Sequence, residues 1–106
     1  MDLDLDALKV VHNGAENRFE IALGNELALL TYRRRPDCIV YNHTEVPRAF
    51  EGRGIAGKLT RAGLDYARSQ NLHVVPTCPY IADFIRKHPE YQDLLAPEDL
   101  RRYVTG

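Results

Sequence analysis

The chain has little of several things that define common protein classes. It has 106 residues, of which two are cysteines, Cys38 and Cys78, and these are too few for a disulfide framework. We expect both cysteines to be reduced. The four histidines are scattered without tight Cys/His spacing, which predicts no metal site. The net charge of −1 lacks the basic surplus of most nucleic-acid binders, so we expect no nucleic-acid partner.

Long hydrophobic runs are missing too. No stretch approaches the roughly 20 apolar residues that cross a bilayer, and we expect no membrane partner. Residues 1–6 are acidic where a secretory signal is basic, which predicts a cytoplasmic protein. The hydrophobic share of 44% and the charged share of 27% are typical of a folded domain. We therefore expect a single domain over residues 1–106, with residues 1–7 as candidates for a disordered or frayed N-terminus.

Hydrophobic periodicity predicts an α+β fold with a mixed, mostly antiparallel sheet. Strand-like runs separated by short turn signals predict an antiparallel meander in the first half of the chain. These runs are Leu8–His12, Arg18–Leu23, Leu27–Arg34 and Cys38–Val46. An amphipathic helix follows from about Gly54 to Gln70, and then a fifth strand over Leu72–Thr77. A strand, a crossover helix and a further strand place the fourth and fifth strands parallel. Shorter helices are predicted to begin at Pro79 and Pro97.

A glycine-rich turn at residues 50–59 carries the clearest chemical signal. Gly52, Gly54 and Gly57 lie between a strand-like run and the amphipathic helix. Glycine allows positive φ and close approach of the backbone to a ligand. The first turn of a helix also presents unpaired N–H groups and the positive end of its dipole. We therefore expect this turn to bind a phosphate-bearing ligand.

The turn by itself fits three phosphate motifs. Residues 52–57 match the dinucleotide fingerprint G-x-G-x-x-G, although the next strand ends without the acidic residue that holds a ribose. Residues 52–58 match a P-loop, but Leu59 stands where a Ser or Thr would hold Mg²⁺. Residues 53–56 match the end of the pyrophosphate motif R/Q-x-x-G-x-G/A of an acetyltransferase superfamily. A turn shaped only by packing is the plain alternative, so the motif alone leaves the choice open.

Five short segments together form a more specific pattern. They are H-T-E-V-P at residues 43–47, G-R-G-I-A at 52–56, L-D-Y-A at 64–67, V-P-T-C-P-Y at 75–80 and H-P-E-Y at 88–91. This pattern covers roughly residues 8–95 and resembles the small, stand-alone GNAT-like N-acetyltransferases. The resemblance implies acetyl-CoA as co-substrate, and fourth and fifth strands that splay apart around its pantetheine arm.

The same resemblance implies which residues hold the cofactor. The pantetheine amides would pair with the backbone of Thr44, Glu45 and Val46. The pyrophosphate would lie over the backbone N–H groups of Glu51, Gly52, Arg53, Gly54, Ile55, Ala56 and Gly57. Glu51 departs from the Gln or Arg that the superfamily prefers. The helices that shape the acceptor pocket of larger GNAT enzymes have no counterpart between Leu8 and Leu30. We therefore expect an acceptor pocket that is shallow or completed by a partner, and an oligomer stays open.

Acetyl transfer to an amine needs a base, and then a proton for the departing thiolate. Strand alternation places His43 and Glu45 on one face with Ile39 and Tyr41, unless a bulge resets the parity. Glu45 is the first candidate base, and a salt bridge to an arginine is its equally supported alternative. His43 could relay a proton, although a role in capping the strand end is the stronger interpretation.

Cys78 is the third candidate catalytic residue. It follows the fifth strand at the start of a predicted helix, where the helix dipole stabilises a thiolate. It could accept the acetyl group, protonate the departing thiolate, or simply pack in the core. The leading function is an N-acetyltransferase acting on an amine of a small molecule or a protein. The alternatives are a non-catalytic acyl-CoA-binding or interaction module and, third, a nucleotide-binding protein.

Overall fold

The computed structural model describes residues 3–106 and contains one five-stranded sheet, in the order β1-β2-β3-β4-β5. The strands are β1 (Val11–Asn13), β2 (Arg18–Leu23), β3 (Glu26–Arg34), β4 (Cys38–Glu45) and β5 (His73–Pro76). Strands β1 to β4 form an antiparallel meander, and β5 pairs with β4 in parallel. The predicted mixed, mostly antiparallel α+β sheet is therefore confirmed.

The helices follow the predicted order. They are α1 (Ile55–Ser69), which connects β4 to β5, α2 (Pro79–Lys87) and the short α3 (Pro97–Leu100), which continues into a π-helical turn over Arg101–Thr105. Between Leu8 and Leu30 the helical structure is a single 3-10 turn, Gly14–Glu16. Among residues 3–106, no helix is both long and apolar enough to span a bilayer.

The core lies between the sheet and α1. Alternate side chains of β2 and β3 are buried while their neighbours are exposed or half-buried, as the period of two along a strand predicts. The buried side chains are Phe19, Ile21, Leu23, Ala28, Leu30 and Tyr32. From α1, Ile55, Leu59 and Leu64 are fully or almost fully buried. The helix that carries the glycine-rich turn is thus fixed to the sheet by an apolar face.

Gly63 allows α1 to lie unusually close to the sheet. A Cβ atom at this position would be 2.9 Å from Leu30 Cδ2 and 3.0 Å from Tyr41 Oη. The Tyr41 hydroxyl donates a hydrogen bond to the Gly63 carbonyl. Burial raises the pKa of Tyr41 far above its ordinary value, so this donor stays protonated. This close packing is the physical reason for a small residue at this position of the predicted helix.

The N-terminal residues pack against the start of α1. Leu5–Ala7 form a 3-10 turn, whose first peptide is capped because the Asp4 carboxylate accepts from the Asp6 N–H. Leu3, Leu5 and Leu8 are partly buried against the core. Of the segment predicted to fray, Met1 and Asp2 lie outside the described residues.

Candidate cofactor site and candidate catalytic residues

Strand β5 pairs with only the first half of β4. The parallel pairing joins residues 38–41 to residues 73–76. The Cys78 N–H then donates to the Tyr41 carbonyl at 3.1 Å, and the chain turns into α2 while β4 continues to Glu45. A gap therefore opens beside residues 42–45, where β4 pairs with β3 on one side and has no β5 partner on the other. Such an unpaired strand edge can accept an extended, amide-bearing chain.

A bulge at Asn42 reverses the side-chain parity of β4. Thr31 pairs with His43 and Tyr32 pairs with Tyr41, so Asn42 is the extra residue. The Thr31 hydroxyl donates to the Asn42 side-chain oxygen at 2.6 Å. Past the bulge, Thr44 pairs with the buried Leu30 and lies on the helix-covered face. The face expected from simple alternation is therefore wrong beyond Tyr41, because a bulge shifts every later side chain to the other side.

His43 and Glu45 share the open face of the sheet. The His43 Nε2 and Glu45 Oε1 atoms are 3.5 Å apart, and the two side chains are 60% and 61% exposed. Among the described residues the side chain that contacts the Glu45 carboxylate is thus His43 and not an arginine. The structure brings these two candidates together, in contact with water and on the face opposite to Tyr41.

Cys78 and Thr44 meet where β4 and β5 separate. The Thr44 Oγ1 and Cys78 Sγ atoms are 3.5 Å apart, and Cys78 is only 7% exposed. Cys78 is the N-cap residue of α2 and makes no side-chain capping hydrogen bond. The candidate nucleophile and the candidate base therefore lie on different faces of β4. This arrangement depends on the parallel register of β4 and β5, and no local sequence signal could have revealed it.

The glycine-rich turn has the conformation that its composition predicts. Gly52 has φ +78° and Gly54 has φ +83°, and both angles are in the left-handed region that L side chains rarely adopt. Gly54 is the N-cap residue of α1, and its carbonyl accepts the first helical hydrogen bond, from Lys58. The N–H groups of residues 55–57, which come before Lys58 in the first turn, have no acceptor within the helix. They therefore remain available to an anion.

A cavity of about 230 Å³ lies directly on this turn; we call it the cradle cavity. It is lined by Val46, Phe50, Glu51, Gly52, Gly54, Ile55, Ala56, Gly57 and Tyr80. Val46 directly follows β4 and Tyr80 lies in the first turn of α2, so the cavity lies next to the unpaired end of β4. Burial raises the pKa of Tyr80, which keeps its hydroxyl protonated as a donor. Sequence reasoning missed Phe50, an apolar side chain that belongs to no motif.

A mixed sheet with two separating parallel strands, next to a glycine-rich helix start, is an arrangement suited to an extended phosphate-bearing cofactor. Comparison with known families gives the class: the model of the GCN5-related N-acetyl-transferase family matches residues 18–94. The chain therefore belongs to the GCN5-related N-acetyltransferase family, as its resemblance to the GNAT enzymes predicts.

Individual relatives agree with this assignment. Protein NATD1 of Bos taurus is 36% identical over 95 residues, which are 85% of this chain and 84% of the relative. Protein NATD1 of Homo sapiens is 35% identical over 95 residues, with the same coverage. The NMR solution structure of a GCN5-like protein from Staphylococcus aureus superposes with a TM-score of 0.68 at 32% identity, covering 84% of this chain and 88% of that chain.

Proposed function

We propose that the protein binds acetyl-CoA and transfers its acetyl group to an amine. The diphosphate would lie over the backbone N–H groups of residues 51–57, and the pantetheine arm would pass along residues 44–46 into the gap. One observation carries the proposal: the cradle cavity lies on the glycine-rich turn and is lined by Val46, which directly follows the unpaired end of β4. Membership of the family supports the same ligand and the same reaction class.

The other phosphate ligands fit the site less well. Leu59 occupies the position at which a P-loop holds Mg²⁺, and its side chain is fully buried in the core. Strand β5 ends at Pro76 without a carboxylate to hold a ribose. ATP–Mg²⁺ and NAD therefore lack the side chains that their binding requires.

Transfer would proceed by direct attack of the amine on the thioester carbonyl. The C–N bond forms, the C–S bond breaks, the amine loses a proton, and the coenzyme thiolate gains one. Glu45, with His43 beside it, would take the amine's proton on the open face of the sheet. The Thr44 hydroxyl, the Cys78 thiol or the Tyr80 hydroxyl would return a proton in the gap.

A covalent variant uses Cys78 as the first acceptor. The Cys78 sulfur would attack the thioester, coenzyme A would leave as its thiol, and the amine would then remove the acetyl group from Cys78. The position of the thiol, at the point where the two strands separate, supports this variant. Intact-mass measurement after incubation with acetyl-CoA tests it, because it predicts an acetyl adduct that Cys78→Ala abolishes.

A second candidate function is a non-catalytic acyl-CoA-binding module. The observation that favours it is the exposure of His43 and Glu45. Enzymes commonly strengthen a carboxylate base by burying it, and this pair lies in water. Assays of acetyl transfer to small amines and to lysine-containing peptides separate the candidates. A non-catalytic module would bind acetyl-CoA, transfer no acetyl group to any acceptor, and so release no coenzyme A.

Thermal unfolding tests the shared basis of both functions. Ligand at 100 times its Kd stabilises the folded state by about 2.7 kcal/mol. For a domain of this size each kcal/mol raises the Tm by about 4–8 °C. We expect this stabilisation with acetyl-CoA and with CoA, and none with ATP–Mg²⁺ or NAD. Absence of stabilisation by acetyl-CoA and CoA would refute the proposed function.

A further inference from the structure

The gap beside β4 is closed at its inner end. The Tyr41 carbonyl accepts two hydrogen bonds from the chain that follows β5, one from the Cys78 N–H at 3.1 Å and one from the Thr77 hydroxyl at 3.4 Å. Beyond these bonds the two strands pair directly, and Ile39 and Val74 are fully buried there. Protein interiors hold few voids larger than a water molecule. A group that enters the gap therefore finds no space beyond Tyr41.

Two side chains occupy the gap just before this inner end. The Thr44 Oγ1 and Cys78 Sγ atoms are 3.5 Å apart, so a residue of β4 touches a residue of the chain after β5. Thr44 is half-buried and Cys78 is buried. Neither residue lines the cradle cavity, whose lining includes Val46 but no residue of β4 itself. The contact between Thr44 and Cys78 therefore narrows the gap on the side that faces the helices.

The bulge at Asn42 brings Thr44 to this position. Without the extra residue, Thr44 would lie on the open face of the sheet and His43 would lie on the helix-covered face. A threonine side chain has two parts, a hydroxyl that can bond to the thiol and a methyl group that adds only volume. The contact thus has a polar part and a steric part, which substitutions at position 44 can separate.

We propose that the Thr44–Cys78 contact limits the length of the acyl group that this protein accepts. This inference rests on the proposed function, because it requires the pantetheine arm to pass along residues 44–46 and to carry the thioester into the gap. The acetyl group would then lie against Thr44 and Cys78. A longer acyl chain would have to separate these two side chains, since the space beyond Tyr41 is filled.

The size of the effect follows from the volume that each additional methylene group needs. In a tightly bounded apolar pocket, one methylene group changes specificity by roughly 10–200-fold. Forcing extra methylene groups into a packed region also displaces side chains and backbone. Thr44 and Cys78 are therefore specificity-determining residues for the acyl group, and the steric part of their contact sets the limit.

Calorimetric titration of the full-length protein with CoA, acetyl-CoA and butyryl-CoA tests the proposal without an acceptor amine. We expect the wild type to bind acetyl-CoA at least about tenfold more tightly than butyryl-CoA. Thr44→Ala removes the branched side chain and should lower this preference by about tenfold, the effect of about one methylene-sized space. Thr44→Val is the matched control, because it keeps the branched shape and loses only the hydroxyl, so it should keep the wild-type preference. Cys78→Ala enlarges the gap from the other side and should also lower the preference.

Each outcome has a separate meaning. Equal affinity of the wild type for acetyl-CoA and butyryl-CoA overturns the inference and leaves the proposed function intact. A wild-type preference that both Thr44→Ala and Cys78→Ala retain also overturns it, because the limit then lies elsewhere. A preference that Thr44→Val loses as fully as Thr44→Ala overturns the steric explanation. No affinity for any of the three ligands removes the proposed function and this inference with it. The wild-type comparison uses no variant, so it decides the question even where a variant fails to fold.

Discussion

Substituting alanine at Gly54 tests whether the left-handed turn holds the start of α1. At φ +83° a Cβ atom costs roughly 1–2 kcal/mol. The new methyl group would meet Leu5 Cδ2 at 3.0 Å, but this is the end of a flexible side chain that can move away. The smaller entropy of the unfolded alanine chain returns roughly 0.4–1 kcal/mol. We therefore expect Gly54→Ala to destabilise the protein by about 1 kcal/mol.

Gly57→Ala is the matched control in the same turn. Gly57 does not have a positive φ, and a Cβ atom would make ordinary contacts of 3.8 Å with Tyr80 and Phe84. Alanine inside a helix is more stable than glycine by roughly 0.5–1 kcal/mol. We expect Gly57→Ala to be more stable than the wild type, although its methyl group lies beside Tyr80, which lines the cradle cavity.

Urea unfolding followed by tyrosine fluorescence measures both variants, since the chain has six tyrosines and no tryptophan. The two variants should differ by roughly 2 kcal/mol, the sum of the strain and propensity effects. Both should bind acetyl-CoA more weakly than the wild type, although one is less stable and the other more stable. Equal stability of the two variants would refute the reasoning from backbone conformation.

Three further predictions concern the core and the candidate catalytic residues. Gly63→Ala should cost about 1–3 kcal/mol through overpacking against Leu30 and Tyr41, and part of this cost should disappear when Tyr41→Phe is added; strict additivity in urea unfolding contradicts the contact. Glu45→Gln should lower turnover most at the pH where the wild type is fastest, and unchanged turnover across pH removes Glu45 from the mechanism. Cys78→Ala should keep acetyl-CoA affinity within about twofold while lowering turnover by about tenfold or more; full turnover shows that the thiol only packs.

Local patterns predicted most of the fold. Strand Arg18–Leu23 has the predicted bounds because its alternation of apolar and polar residues is regular. The start of α2 at Pro79 follows from the fixed φ of proline. The bulge at Asn42 is different. It arises from the register of β3 against β4, and no residue type within β4 predicts it. From the sequence, the face of His43 and Glu45 could be predicted only on the condition that β4 contains no bulge.

The candidate site also has a part that the sequence predicts and a part that depends on long-range packing. The glycine-rich turn is local, and its glycines predict both its conformation and its ligand class. The Lys58–Leu5 hydrogen bond joins residues 53 positions apart, so it follows only from the packing of the N-terminal turn on α1. This contact therefore could not be predicted from the sequence, although both residues are visible there.

The extra residue in β4 decides which face of the sheet each later side chain of the strand occupies. Because Thr44 turns toward the helices and Glu45 toward solvent, an acyl group held in the gap would be approached by its nucleophile from the uncovered side of the sheet. In the proposed reaction, the surface around His43 and Glu45 would therefore meet the acceptor, and the opposite face of β4 would meet the coenzyme.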